Sequence, residues 1–492
     1  MRKVKASALL YVYNTALWTD TREPASFQRV YAKVKKKTIN GLLSKLVLTQ
    51  SALPFYSGYT YYHHRRSTIV MGLAAGLTAL GGYVMQKGLK ATDWEMTILT
   101  IVSGLPYLLT PFWSQFMRKH GTRGTLSFTP FIEAGAILLL ACVWMPWQFI
   151  ALIGVNMIAS TAMLPIQNFV MQQNYAVSLR GRIFGQLSSF FILVSMSAAL
   201  LTAVVLDMKP VALNIPLPKF LFPGGPLRAS IETFRFVFPL AAVAWLVGRM
   251  MFRSLRARGE GVVLAPARKH AQQVGYLKSL ITSFGEVVKV FRNDRNFFLY
   301  EMGFMLYGTA IIMIGPVVPI VANQKMNATY LEYALATMLV SSLVQLPLGP
   351  VWGVIMDRLK GPRTSLIIYL ILIVSMVVLW GAAEQNSKWL LGLGFVVQGV
   401  GMAGINITWN LGSVEFSKRG EVDRYTSSHV FLVGLRFTYA PLLGIGIMSL
   451  LGGVQRGAPW VFLSGTVTLS LACILMIYLR RSMVRQQSRL EA

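Results

Sequence analysis

Charge is the scarcest property of this sequence, and most of the charge that is present has one sign. Only 13% of the residues are Asp, Glu, Lys or Arg, about half the share found in soluble globular proteins. Hydrophobic residues make up 54% of the chain, and the mean hydropathy is +0.54. Apolar runs near the ~20 residues needed to cross a bilayer recur along its length. These features exclude an ordinary soluble domain and predict a polytopic membrane protein.

Residue types that carry redox, metal or covalent chemistry are also few. The two cysteines, Cys142 and Cys473, fall inside apolar runs, which excludes a disulfide framework. With five histidines and neither an H-x-x-x-H pattern nor a cysteine cluster, we expect no metal and no cofactor. The phosphate-binding pattern G-x-x-x-x-G-K-S/T is absent, which argues against direct use of ATP. Because no nucleophile, base and acid occur at a catalytic spacing, we do not expect an enzyme.

The apolar runs predict an all-α fold of twelve transmembrane helices. The predicted spans are residues 68–86, 94–115, 126–145, 147–170, 184–206, 234–252, 297–320, 331–355, 365–383, 389–411, 428–451 and 459–479. They form two predicted six-helix bundles, 67–252 and 297–480. A basic interfacial segment, 1–66, precedes them; a basic linker, 253–296, joins them; and a tail, 481–492, follows.

The net charge of +29 follows membrane topology rather than a nucleic-acid interface. With both termini on the cytoplasmic side, Lys and Arg favour the cytoplasmic segments by roughly four to one, in line with the positive-inside rule. We therefore expect a monomer in the cytoplasmic (inner) membrane with both termini inside. Its basic segments are expected to contact anionic lipid and not nucleic acid.

One charged turn occurs twice in the chain. It reads LTPFWSQFMRKHGTRGT at 109–125 and LGPVWGVIMDRLKGPRT at 348–364. An A-T-x-x-E pattern, typical of a helix capping box, precedes the two copies at 91–95 and 328–332. Matched Met-Gly and Thr-Ala pairs come before each box, and an Arg-Gly pair follows each turn. Four matches in one order predict two pseudo-symmetric halves, a common plan among secondary transporters.

The second turn resembles the G-x-x-x-D-R-x-x-G-x-R motif of the major facilitator superfamily, with Lys360 as one additional residue. Together with the predicted spans, this resemblance covers about residues 67–480. It implies two six-helix bundles that alternately open a central site to either side of the membrane. The first turn departs from the motif, since Trp113-Ser114 replaces the leading glycine and Arg118-Lys119 replaces the Asp-Arg pair.

We interpret the two turns as a conformational gate. Glycine permits a tight turn, and an Asp beside basic residues can form charge-assisted hydrogen bonds that hold one conformation. Asp357 is expected to stabilise the outward-open state; for the arginines the alternative is a topology anchor. The predicted gate residues are Gly353, Asp357, Arg358, Gly361, Arg363, Arg118, Gly121 and Arg123.

Polar side chains inside spans are costly and are therefore candidates for substrate contact. The resemblance implies that spans 1, 4, 7 and 10 line a central cavity. The uncharged candidates are Asn156, Gln167, Tyr307, Gln398, Asn406, Trp409 and Asn410. For the amides, hydrogen bonding between helices is the alternative.

Three charged residues inside spans have open roles. Arg436, near the middle of its span, must pair, face water or meet an anionic group. Glu301 is expected to cap its helix or pair with loop arginines, with a proton site as the alternative. Glu133 is a protonation candidate because of its burial, although the resemblance places its span at the periphery.

The leading functional hypothesis is a secondary transporter of a small solute that works by alternating access, with or without a coupling proton or other ion. A non-transporting sensor or scaffold on the same fold is the first alternative. A translocator of an amphipathic lipid, with Arg436 at the headgroup, is the second. A continuous polar cleft would favour a transporter, because a scaffold could fill that space with bulky side chains.

Overall fold

The computed structural model describes residues 53–209, 211–215, 227–265, 285, 287–412, 414–417 and 422–491. The side chains of Asp357 and Asn410 fall outside this description, although both residues lie in helices. The predicted interfacial segment up to residue 52 and the central part of the linker, 266–284, also fall outside it.

Six helices form the first half of the chain. They are α1 (Tyr56–Gly88), α2 (Asp93–Thr125), α3 (Thr129–Cys142), α4 (Pro146–Asn174), α5 (Val177–Leu206) and α6 (Phe234–Arg253).

Six more helices form the second half. They are α7 (Arg295–Lys325), α8 (Tyr330–Gly349), α9 (Arg358–Gln385), α10 (Lys388–Leu411), α11 (Val422–Leu450) and α12 (Ala458–Glu491). The end of α8 and all of α9 belong to one helical run, Val340–Gln385, which is broken at Lys360. In the described part of the chain, eleven helices are long and apolar enough to cross a membrane. The protein is therefore a multi-pass, helical membrane protein of two six-helix bundles, as predicted.

The third helix is shorter than its predicted span of 126–145. Its α-helical part, Thr129–Leu139, ends in a single 3₁₀ turn, and Val143 and Met145 are extended. Pro146 starts α4, and a proline disfavours helical backbone in the residue before it. The helix therefore stops before residue 145, which makes α3 the one short member of the set.

The first helix begins earlier than predicted, at Tyr56 rather than near residue 68. Its added turns carry polar side chains that bond to α4 and α5. Ser57 Oγ donates to the carbonyl of Asn174 (2.9 Å), and Tyr61 donates to Gln186 (2.8 Å). These bonds explain why a stretch too polar to be read as membrane-spanning is still part of the bundle.

The described part of the connection between α5 and α6 contains two β-strands. Strands β1 (Val211–Ile215) and β2 (Leu227–Ile231) pair antiparallel, with Val211 opposite Ile231 and Ile215 opposite Leu227.

The predicted duplication is visible in the geometry of the capping boxes. Thr92 accepts from the backbone N–H of Glu95, whose carboxylate accepts from the N–H of Thr92 at 2.7 Å. Thr329 and Glu332 repeat both bonds, the second at 2.8 Å. We call this end of the molecule, where both boxes lie, the cap end. The opposite end, which holds turns 118–125 and 357–364, is the turn end.

The two halves touch through close helix crossings. A Cβ added to Gly104 of α2 would lie 1.9 Å from the Phe437 ring of α11, and one added to Gly434 would lie 2.8 Å from the backbone N of Leu108. Small residues at such crossings let the two helix backbones approach each other closely in a membrane. The α2–α11 pair joins the halves in this way, and α5 and α8 are also in contact across the halves.

Candidate functional site

A cavity of about 490 Å³ lies between the two halves, within the size range of small-molecule sites. The first half contributes most of its wall, from α1, α2, α4, α5 and α6. The second half contributes Gln345 of α8 and Asn406 of α10. Residues of both halves therefore meet at one space, as alternating access requires.

Most of the cavity wall is apolar, from aliphatic, methionine and aromatic side chains, and neutral polar groups are set among them. The polar groups are Thr68, Tyr107, Ser160, Thr161, Gln167, Ser188, Gln345 and Asn406, and the aromatic ones include Phe184, Phe191 and Trp245. Arg249 is the one charged side chain among the described residues that line the cavity. The electrostatic character of the cavity therefore depends on whether a nearby acid neutralises the charge of Arg249.

Arg249 of α6 forms a buried ion pair with Glu133 of α3. Its Nε donates to Glu133 Oε2 at 2.9 Å, and its Nη2 donates to Ser160 Oγ at 3.0 Å. The indole N–H of Trp245 donates to the same carboxylate oxygen. The side chains of Arg249 and Glu133 are only 6% and 1% exposed, so the positive charge beside the cavity is neutralised by a fixed acid.

Glu133 therefore serves as the partner of Arg249, which sequence reasoning did not anticipate. The peripheral position of α3 hid this role, because an acid facing inward between α3 and α6 needs the tertiary structure to reveal its basic partner. Asn156 of α4 donates to the backbone carbonyl of Glu133 at 3.1 Å. Asn156 thus forms a hydrogen bond between helices, which was the alternative to substrate contact for this amide. It does not line the cavity.

The remaining uncharged candidates divide between the cavity and the interior of the second half. Gln167 and Asn406 line the cavity, and Asn406 Nδ2 donates to Gln345 Oε1 at 3.3 Å. Tyr307, Gln398 and Trp409 lie off the cavity wall; the Tyr307 ring stacks on Tyr369 with centroids 5.3 Å apart. The side chain of Asn410 lies outside the described part.

Arg436 is buried away from the cavity wall. One of its terminal nitrogens, Nη1, donates to the carbonyl of Phe304 at 3.0 Å, and the guanidinium lies over the rings of Phe304 and Tyr307. A Cβ added to Gly308 would lie 1.8 Å from Nη1, so α7 provides a glycine where the guanidinium packs. Within the described structure no carboxylate forms an ion pair with it.

Glu301 pairs with a histidine rather than with loop arginines, which corrects the expectation for it. His429 Nδ1 lies 3.0 and 3.1 Å from the two carboxylate oxygens. Both side chains are almost fully buried, at 1% and 0% exposed. The pair links α7 to α11, so Glu301 is not a helix cap.

Sequence reasoning missed His429. A signal was available, since a histidine within a predicted span is an ionisable group inside the membrane. It also lies seven residues before Arg436, hence on the same helix face.

The cap end of the space between the halves is closed by bonds from one half to the other. Lys87 Nζ and the Tyr83 hydroxyl both donate to the carbonyl of Ala328, each at 2.7 Å. The Tyr83 ring also stacks on Tyr333 at 4.1 Å, with an interplanar angle of 5°. We call this set, together with Asp207 below, the cap-end seal.

Asp207 completes the seal. It follows α5 in the first half, and its carboxylate accepts from the backbone N–H groups of Tyr330 (2.9 Å) and Leu331 (2.8 Å) at the start of α8 in the second half. These N–H groups have no partners inside their own helix, and the helix dipole favours an acid there. One carboxylate therefore fastens the two halves together.

The two turns at the opposite end share one geometry. The indole N–H of Trp113 donates to the carbonyl of Ile158, and that of Trp352 to Val400, both at 2.9 Å. Eight residues after each tryptophan the backbone has a positive φ, 78° at Gly121 and 66° at Lys360. Lys360, and not Gly361, is therefore the structural counterpart of Gly121.

Each turn is bound by an acid from elsewhere in its own half. Glu260, after α6, accepts from the backbone N–H of Thr122 at 2.7 Å and from its hydroxyl. Glu415, after α10, accepts from the N–H of Gly361 at 2.6 Å. The first turn therefore has an acidic partner although its own sequence has lost the Asp.

The other predicted gate residues are less constrained. Arg118, Arg123, Arg358 and Arg363 are exposed, and Arg123 donates to the carbonyl of Ser254 at 3.4 Å. A Cβ added to Gly353 would meet nothing within 4 Å, so packing in this conformation does not require a glycine there. The side chain of Asp357 lies outside the described part, so its role as a lock stays a prediction.

The positive φ at Lys360 allows a direct test of whether the two turns are structural counterparts. Lys360→Gly should raise the free energy of unfolding by about 1 kcal/mol, because a residue other than glycine pays for a left-handed backbone. The thermal unfolding midpoint of the purified protein measures this. Gly121→Ala is the matched variant and should lower the midpoint, because the same conformation then carries a Cβ. A lower midpoint for Lys360→Gly would contradict the assignment.

The second half matches a family model by sequence. Residues 302–492 match the model described as Major Facilitator Superfamily. Among curated proteins, none matches this sequence.

Solved structures of transporters share the fold over most of the chain. The nucleoside transporter NupG aligns with a TM-score of 0.61 at 12% identity, over 85% of this chain and 98% of that chain. A bacterial homolog of the human lysosomal transporter Spinster, in an inward-facing and unoccupied conformation, aligns at 0.62 and 11%, over 87% and 98%. The xylose transporter XylE from E. coli, partially occluded and inward open, aligns at 0.56 and 13%, over 86% and 98%.

At these identities the likeness concerns the fold. The duplicated halves, the paired turns and the cavity between the bundles agree with it, and the sequence match covers most of the second half. This chain has the fold, and in its second half the sequence pattern, of the major facilitator superfamily.

Proposed function

We propose that the protein is a secondary transporter that moves a small polar solute by alternating access, and that the structure represents its inward-open state. The observation that carries the proposal is the cap-end seal, which closes one side of a cavity whose wall comes from both halves. The positive-inside rule supports placing the turn end in the cytoplasm. The seal then lies on the external side, in the cytoplasmic membrane.

The two ends act as alternate gates in this proposal. Asp207 and Lys87 hold the external side closed here, and we take the turn end to be the open side. In the outward-open state the seal separates, and Asp357 with the basic residues of the turns holds the cytoplasmic side closed. The acids that already bind the two turns, Glu260 and Glu415, would keep each turn rigid within its own half during the exchange.

The wall favours a neutral solute that has both hydrogen-bonding groups and apolar surface. Amide and hydroxyl groups supply donors and acceptors, the rings supply flat apolar surface, and the charge of Arg249 is neutralised by Glu133. Proteins of this fold include carriers named for nucleosides, xylose and oligopeptides. For a cavity of about 490 Å³ we propose a solute made of one or two sugar, nucleoside or amino-acid units.

Two observations favour transport over the alternative functions. A scaffold could fill the space between the bundles, but a cavity of about 490 Å³ with hydrogen-bonding groups in its wall lies there. A lipid translocator was suggested by Arg436 at a headgroup, but that guanidinium packs on Phe304, off the cavity wall.

A thermal-shift screen with a panel of neutral sugars, nucleosides, short peptides and matched organic anions tests the proposal. We expect one neutral class to raise the unfolding midpoint of the purified protein, because a ligand bound only to the folded state stabilises it. Gln167→Leu and Asn406→Leu should abolish the shift. Gln398→Leu, which removes a buried amide off the cavity, should retain it. A shift that only organic anions produce would contradict the substrate class. A shift that survives both cavity variants would contradict the site.

A further inference from the structure

A second buried polar cluster lies in the second half, away from the cavity wall. Its centre is the pair of Glu301 on α7 and His429 on α11. Aromatic rings enclose the imidazole, with the Phe304 centroid 4.5 Å away and the Trp409 centroid 5.6 Å away. A buried acid with a buried imidazole is expensive inside a membrane, and such residues usually serve ion pathways or proton relays.

The two imidazole nitrogens have different surroundings. Nδ1 lies 3.0 and 3.1 Å from the carboxylate oxygens, so one proton occupies the hydrogen bond between Glu301 and His429. Nε2 is buried and has no hydrogen-bond partner in the described structure. The pair therefore presents one unused nitrogen that can accept a second proton.

We propose that Nε2 of His429, with Glu301 as its anionic partner, is the binding site of a coupling proton. The inference rests on the proposed transport function and assigns its coupling ion. The step is a protonation alone: the Nε2 lone pair accepts a proton from a hydronium ion, which becomes water, and the resulting imidazolium is stabilised by the Glu301 carboxylate.

The geometry gives the direction of coupling. In this inward-open conformation an Nε2–H group would be a buried donor without an acceptor, and such a group is costly. Protonation therefore disfavours this packing and favours the outward-open state, in which α11 and its neighbours are rearranged. A proton would thus bind while the site communicates with the external side and leave after the protein opens inward.

Other ionisable groups around the pair set its electrostatics. Arg436, two turns further along α11, interacts with Glu301 and opposes a second positive charge nearby. The phenols of Tyr300 and Tyr369 also interact with Glu301. Tyr307 and Glu415 belong to the same group of ionisable side chains, because both interact electrostatically with Tyr300.

Trp409 connects the pair to the cavity. Its ring meets the imidazole at 70°, and Asn406, three residues earlier on α10, lines the cavity. Residues three apart lie on one face of a helix, so a rearrangement around His429 moves the α10 face that meets the solute.

Spin-label distance measurements on the full-length protein in nanodiscs test the proposal without a known substrate. Labels at Ser127→Cys and Arg485→Cys, in a Cys142→Ser/Cys473→Ala background, report the separation of the halves at the turn end. Distances are compared at about pH 5 and about pH 8, which bracket the ordinary titration of imidazole. We expect the ratio of inward-open to outward-open molecules to fall by about tenfold at the lower pH.

Three variants decide the assignment. Glu301→Gln and His429→Gln should each reduce the pH response to less than about twofold, whereas Glu384→Gln, which removes an exposed acid, should retain it. An unchanged response in Glu301→Gln or His429→Gln, or a parent protein whose two populations do not respond to pH, would overturn the proton site and leave alternating access intact. A single population under every condition, Asp207→Asn included, would instead contradict the transport proposal and the coupling with it.

Discussion

Glu133→Leu should lower the free energy of unfolding by about 3–5 kcal/mol, because it leaves the Arg249 guanidinium buried without its counter-charge. The carboxylate accepts from both Arg249 and Trp245, so one substitution removes the acceptor of a buried guanidinium and of a half-buried indole N–H. The thermal unfolding midpoint of the purified protein, and its recovery after membrane extraction, should both fall clearly.

The double variant Glu133→Leu/Arg249→Met separates charge burial from packing. Removing both members of a buried ion pair is often neutral or stabilising, so most of the lost stability should return. The double variant also tests the cavity, since Arg249 lines it. A double variant as unstable as the single one would show that side-chain packing, and not the unpaired charge, dominates at this position.

Asp207→Asn should shift the protein toward the outward-open state by about tenfold or more. The carboxylate makes charge-assisted bonds to the N–H groups of Tyr330 and Leu331, and such bonds contribute about 1.5–3 kcal/mol. An amide offers a single, uncharged acceptor oxygen and loses the attraction of the helix dipole. Labels at Met208→Cys and Leu450→Cys, both exposed at the cap end, would measure the opening.

Asp357→Ala is the matched variant and should shift the equilibrium the other way. If Asp357 stabilises the outward-open state, its loss should enrich the inward-open population and impair transport while membrane insertion is unchanged. If Asp207→Asn and Asp357→Ala shifted the ratio of inward-open to outward-open molecules in the same direction, the two ends would not act as opposed gates. No shift for Asp207→Asn would mean that Lys87, Tyr83 and the helix crossings close the cap end without it.

The positions of the helices along the chain could be predicted because they depend on local sequence. Apolar runs separated by charged or proline-containing connections placed most of the helices, and the A-T-x-x-E patterns predicted two capping boxes that the structure contains. Errors arose where the local signal was ambiguous. A polar stretch at Ser57 and Tyr61 extends α1, and Pro146 shortens α3.

The partners of the buried ionisable groups could not be predicted in this way. Glu133 and Arg249 are separated by 116 positions, and Glu301 and His429 by 128. Nothing in the sequence around either acid identifies its partner. The same holds for Glu260 and Glu415, which bind turns that are distant in the chain.

The sequence by itself determined the membrane-spanning helical class, the duplication and the two turns, because hydropathy, capping and repeated motifs are properties of neighbouring residues. Only the tertiary structure decided which polar groups face the cavity, which charges neutralise each other, and which end is sealed. Those outcomes depend on helix rotation and on contacts between the halves, where a buried charge is stable only if a distant residue meets it.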